Sequence, residues 1–302
     1  MAASRGVNLL LTHQRADGSW AGEAVTTAQV LICLENAPVL AGDTRGTVAV
    51  VQAVNYLRRS VADTCPLAAT GAPTATALEA LAAAVTALAR DNLATHRELL
   101  SRGRACLLAS VRPLDLAKGR PEGALALGPA GFPEAATTCA ALDALLVTEG
   151  LDPAWNREGY TALTAYLREA LRALPRSAPA VAPGALEATL VRALLCLGVN
   201  PTESLVADAL ARLAQTPSTD PALAFASAEA LSLARSDTAT PALAPLAGWR
   251  DRLLEALLGT QQGDGGWPTT AGTGSRDRST ALALRALQVA AGWRLADSES
   301  PP

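Results

Sequence analysis

The feature that most constrains what this chain can fold into is a seven-residue pattern used twice, once near each end. Gln14-Arg15-Ala16-Asp17-Gly18-Ser19-Trp20 and Gln261-Gln262-Gly263-Asp264-Gly265-Gly266-Trp267 both read Gln-x-x-Asp-Gly-x-Trp. Each copy lies between two segments whose apolar residues recur at helical spacing, so one device turns one helix back on another at both places. Its parts have separable roles. Asp-Gly makes a tight turn with a positive φ, the Gln amide ties off open backbone groups at a helix end, and the Trp covers the joint. Gln14, Asp17, Trp20, Gln261, Asp264 and Trp267 are therefore read as a structural motif.

Helical periodicity continues along the rest of the chain, Gly and Pro cluster between the runs, and no alternating stretch suggests a strand. The chain reads as all-α, with twelve helices expected over 3–13, 25–36, 45–61, 74–90, 95–111, 134–149, 155–174, 184–198, 201–215, 222–235, 242–259 and 278–292. Twelve helices make six hairpins, and six hairpins closed in two concentric rings make an (α/α)6 toroid. The second helix of each pair is expected inside, being richer in Ala and Leu and poorer in charge. The first helix of each pair carries the surface charge, including Arg58, Arg102, Arg104, Arg168, Arg250 and Glu255. Residues 1–296 are expected to form one domain and 297–302 a disordered tail. Closure would make hairpins one and six neighbours, which accounts for their carrying the two motifs.

Half of the 302 residues are apolar, enough for a substantial core. A formal charge of −3, without a dense basic run, excludes a nucleic-acid or anionic-membrane footprint. No apolar run approaches the ~20 residues of a membrane span, and Leu9-Leu10-Leu11 is too short for a secretory signal. Five scattered cysteines without metal-type spacing read as reduced, buried thiols of a cytoplasmic protein. The segment 112–133 is long enough to be a lid, a binding loop or a tolerated insertion, and 175–184 reads as a stiff Pro/Ala connection.

The repeated pattern resembles the QW motif, the prenyltransferase repeat of the terpenoid cyclase and protein prenyltransferase superfamily. Ser279-Thr280-Ala281-Leu282-Ala283-Leu284-Arg285-Ala286-Leu287 is similar to the helix that follows the motif there. The resemblance implies the α/α toroid and a central cavity reached at the N-terminal ends of the inner helices. It also implies three chemistries to look for. Class II cyclisation uses an Asp-x-Asp-Asp acid, absent here, and prefers aromatic walls, whereas the inner helices hold little beyond Phe225. Protein prenylation uses zinc, but Thr280 stands where the family has a histidine. Asp63-Thr64-Cys65 falls well before its helix, and only His13 and His96 are available, so no metal site is expected. Diphosphate binding needs cations at a cavity mouth, which makes Arg276 and Arg278, with Thr280 and Phe225, the candidate substrate-binding set. No cofactor is expected beyond Mg2+ accompanying a diphosphate.

Four inner helices carry an acid at corresponding places: Glu79, Asp143, Glu187 and Glu229, with Gln29 near the equivalent place in the first. Buried carboxylates are unfavourable unless paired or wet. Converging, they would repel one another, raise a pKa and create the proton donor that cyclisation needs, making these four the candidate catalytic residues. The alternative is pairing with Arg192, Arg235 or Arg285. Hydroxyls recurring at the same helix starts, Thr27 and Thr280 among them, read as caps. The leading functional expectation is a noncanonical terpene cyclase-like enzyme that handles an isoprenoid, a prenyl chain or its diphosphate, in an apolar central cavity. The rival is a catalytically inert toroid that binds a hydrophobic ligand or a partner protein. A barrel glycosidase is disfavoured by the shortage of Trp and Tyr in the inner helices.

Overall fold

A computed structural model of the chain describes residues 2–37, 43–70, 75–109, 135–148, 157–174, 184–234, 241–270 and 273–291. These residues form twelve α-helices and no strand. The first six are Ala2–His13 (α1), Ala24–Glu35 (α2), Thr44–Thr70 (α3), Ala75–Asn92 (α4), Arg97–Ala109 (α5) and Ala135–Val147 (α6). The remainder are Arg157–Ala173 (α7), Ala185–Cys196 (α8), Ser204–Gln215 (α9), Pro221–Leu233 (α10), Trp249–Leu258 (α11) and Arg276–Ala290 (α12). The segment 112–133, most of the 175–184 connection, Arg235 and the tail 297–302 lie outside the described residues.

Most helix bounds fall within a few residues of those expected, with two exceptions. The expected 242–259 helix is divided into a 3-10 turn, Pro241–Leu246, and α11, because Gly248 adopts φ +69° and interrupts the helical path. The third helix runs on to Thr70, so Asp63-Thr64-Cys65 lies inside a helix rather than before one. That extension sets Cys65 against Cys106 of α5, Cα to Cα 5.8 Å, and the two form a disulfide. Two of the five cysteines are therefore not the reduced thiols expected. Cys33 and Cys139 are buried and free, and burial pushes both thiols up to about 12, with Arg285 and Arg192 respectively opposing the shift. Both are inert.

The even-numbered helices pack in sequence: α2 on α4, α4 on α6, α6 on α8, α8 on α10, α10 on α12, and α12 back on α2. Their composition explains their position. In α12 every residue from Ser279 to Leu287 is buried, and α2 is buried from Thr26 to Leu34 except at Gln29. A helix apolar on all sides is stable only when covered on all sides. Odd-numbered helices lie against them. In α1 only Gly6, Val7 and Leu10 are buried, one stripe facing inward. Fully burying a leucine such as Leu10, Leu31 or Leu57 contributes about 1.5–3 kcal/mol.

The two motifs make the same joint atom for atom. Trp20 Nε1 donates to the Leu10 carbonyl at 2.7 Å, and Trp267 Nε1 to the Leu257 carbonyl at 2.9 Å. Asp17 accepts from the Ser19 N–H, and Asp264 from the Gly266 N–H. Gly18 and Gly265 have φ of +89° and +95°, and a Cβ on either would collide with Gln52 or Arg5 of the next outer helix. Thr27 and Thr280, expected as caps, instead accept the backbone N–H of Trp20 and Trp267. The cap of α12 is Ser275, which accepts from the Arg278 N–H.

Candidate functional site

The even-numbered helices enclose two cavities. One, of about 330 Å³, lies at their N-terminal ends and is lined from all six. The other, of about 600 Å³, lies toward their C-terminal ends and is lined from α2, α4, α8, α10 and α12, with Arg250 of α11 at its edge. Ile32, Arg90, Arg192, Phe225, Glu229 and Arg285 line both, so one layer of side chains separates the two spaces.

Two buried arginines organise that layer. Arg192 reaches Asp143 at 2.5 Å and Glu229 at 3.4 Å. Arg285 reaches the other oxygen of Glu229 at 3.6 Å, donates to the Gln29 side-chain oxygen, and stacks its guanidinium 4.0 Å above the Phe225 ring. Asp143 and Glu229 are held at these depths by buried neighbours, Leu142 and Ala144 on α6, Ala228 and Ala230 on α10. Two cations face two anions, and buried charges persist only when matched in this way. Burial opposes the charge of Arg192, but Asp143 and Glu229 outweigh it and raise its pKa. For Arg285 burial prevails, with Arg90 and Arg192 adding to it against Glu229, and its pKa falls to about 10. Both remain charged at neutral pH.

Of the four candidate acids, Glu79, Asp143 and Glu229 line the N-terminal cavity, whereas Glu187 is paired with Arg212 of α9. Glu79 is 3.6 Å from Arg278. Each acid is thus ion-paired with a guanidinium: Arg192 and Arg285 are partners named in the pairing alternative, Arg212 and Arg278 are not, and the carboxylates do not form a mutually repelling cluster. The cavity also departs from the apolar one expected, since charged groups share its wall with Val25, Ala83, Leu282 and Phe225.

The candidate substrate-binding set divides as well. Arg278 and Phe225 line the N-terminal cavity. Arg276 is clamped onto the second motif by Asp264 and Gln262, each at 2.5 Å, and Thr280 is engaged by Trp267, so both belong to the joint. His13 lies 2.7 Å from Asp277 at the start of α12.

Sequence reasoning missed Arg90 and Arg250, which line the C-terminal cavity. A basic residue near a helix end ordinarily answers the helix dipole, so Arg90 gave no signal. Arg104, expected on the outer surface, is buried and donates to the Leu145 carbonyl at 2.6 Å and to Thr148. Glu35 was also missed. Burial, and then the neighbouring Asp91 carboxylate, push its pKa up to about 8 against the opposing pull of Arg90. Asp91 in turn lies 2.9 Å from His96 Nε2.

Among the described residues no group of three or more His, Cys, Asp or Glu could hold a metal ion, and no helix is long and apolar enough to cross a membrane. No protein-family model matches the chain, and no curated protein matches it.

Proposed function

We propose that the chain is an (α/α)6 toroid of the terpenoid cyclase and prenyltransferase type, one domain over residues 1–296, that receives an isoprenoid diphosphate in its central cavities. The observation that carries this reading is a layer of buried arginines set among apolar side chains inside a ring of helices. An amphiphilic anion matches both surfaces, with its hydrocarbon on Ile32 and Phe225 and its charge toward guanidinium groups. The twin Gln-x-x-Asp-Gly-x-Trp joints and the cyclic packing order support the fold.

Turnover as a cyclase would require Glu79, Asp143 or Glu229 to give up a proton. Their pairing with arginines favours the second reading, binding without chemistry. Mg2+ would enter only with the diphosphate. The Cys65–Cys106 disulfide removes the argument that placed the protein in the cytoplasm, because such bonds persist in oxidising compartments.

The test is equilibrium binding of geranyl, farnesyl and geranylgeranyl diphosphates by calorimetry, followed by product analysis after incubation with and without Mg2+. Binding without new products supports the second reading, and a cyclised product lost in Glu79→Gln or Asp143→Asn supports the first. Absence of binding to all three contradicts both.

A further inference from the structure

The two cavities differ in charge balance. In the N-terminal cavity Glu79, Asp143 and Glu229 answer Arg278, Arg192 and Arg285. The C-terminal cavity shares Arg90, Arg192, Arg285 and Glu229 with it, adds Arg250, and adds no acid among its described lining residues, whereas Glu79 and Asp143 line the N-terminal cavity alone. Neither Arg90 nor Arg250 has a carboxylate within ion-pair distance among the described residues. Of the acids near Arg90, Glu35 is held protonated by burial and by Asp91, and Asp91 lies against His96. Arg250 rests over the Trp249 ring, 5.1 Å from its centroid, an uncharged partner. Within the shared layer Arg90 repels Arg285, adding to the burial that lowers the Arg285 pKa. Asn36, Ser232 and Gln288 are polar residues of the same wall, the amides of Asn36 and Gln288 also donating to the Ile32 and Cys33 carbonyls.

We infer that the C-terminal cavity is the anion subsite, in which Arg90 and Arg250 receive a diphosphate or phosphomonoester group above the Arg192–Glu229–Arg285 layer. This rests on the proposed isoprenoid reading only for the identity of the tail. It places the charged end of the ligand opposite the N-terminal mouth, where Arg278 is already answered by Glu79.

The test is calorimetric titration with sodium pyrophosphate, farnesyl diphosphate and farnesol, using wild type, Arg90→Gln/Arg250→Gln and Arg278→Gln. Both substituted positions at the C-terminal cavity are exposed, and Arg250→Gln alone serves if the double variant does not fold. Pyrophosphate is expected to bind wild type, to weaken about tenfold for each arginine removed from this pair, and to be little changed by Arg278→Gln. Quenching or enhancement of Trp249 fluorescence should accompany binding and vanish in Trp249→Phe. Absence of pyrophosphate binding, or weakening by Arg278→Gln but not by the double variant, overturns the inference. If pyrophosphate binds through Arg90 and Arg250 but farnesyl diphosphate binds no more tightly, the subsite stands and the isoprenoid reading fails. If farnesyl diphosphate binds wild type and the double variant equally, the reverse holds.

Discussion

The side-chain amide of Gln261 donates to the Ala2 carbonyl at 2.9 Å, joining residues 259 positions apart. Its counterpart Gln14 donates to Ala49 of α3 at 2.8 Å. Each motif therefore ties its own hairpin to the outer helix of the next, and for the last hairpin the next is the first. Arg5 returns the contact by donating to Gln261 Oε1 and to the Gly263 carbonyl, and His13 meets Asp277 beside it. The cavities depend on this junction, because α12 supplies Arg278, Leu282 and Arg285 to their walls.

Gln261→Ala should therefore destabilise the protein about as much as Gln14→Ala, by about 1–3 kcal/mol each, since each deletion removes two hydrogen bonds to backbone carbonyls. Urea unfolding of both variants measures it. A cost for Gln14→Ala alone would mean that the terminal junction carries no stability.

Gly18→Ala and Gly265→Ala should each lower stability by about 2 kcal/mol or more. Both positions combine a positive φ with a backbone atom less than 3 Å from the added carbon. Gly263→Ala is the matched control, with nothing within 4 Å of its Cβ and no positive φ, and should be close to neutral. Thermal melts of the three variants distinguish the effects.

The Cys65–Cys106 bond should leave three cysteines, Cys33, Cys139 and Cys196, open to alkylation in denatured, unreduced protein. Reduction should raise the count to five by mass spectrometry. Replacing both Cys65 and Cys106 with Ala should cost about 2–4 kcal/mol, because the bond closes a loop spanning 41 positions. Five labels before reduction would contradict the assignment.

Glu35 should make stability fall with rising pH. Its folded-state pKa of about 8 exceeds the usual 4.5, so the folded chain holds a proton that the unfolded chain has released. The stabilisation is complete below about 4.5 and is lost as pH rises through about 8. Glu35→Gln should flatten that slope and stabilise the protein by about 1–3 kcal/mol at pH 8.5. Denaturation across pH 5–9 in wild type and variant measures it, and equal slopes would contradict the assignment.

The joints were legible in the sequence because their chemistry is local. Trp20 and Leu10, or Trp267 and Leu257, are ten positions apart, and apolar spacing marks the helices between them. The charged layer was not legible. Arg192 and Asp143 are 49 positions apart on helices so uniformly apolar that no polar face fixes their rotation. The acids could be recognised, but which of them would meet an arginine depended on helix register. Glu187 illustrates this, since its neighbours resemble those of Asp143 yet it faces α9. Arg104 looked like surface charge for the same reason, and Cys65 met Cys106 only because α3 continues beyond its last clear apolar turn.

Native-state hydrogen exchange on α1 tests closure most directly. An N-terminal helix of 12 residues held by nothing would fray and exchange at little free-energy cost. If Gln261, Arg5 and His13 lock α1 to α12, the amides of Val7 to Leu11 should exchange only with the free energy of global unfolding, matching those of Ala281 to Leu287. Exchange of α1 within seconds while α12 stays protected would contradict the closed ring.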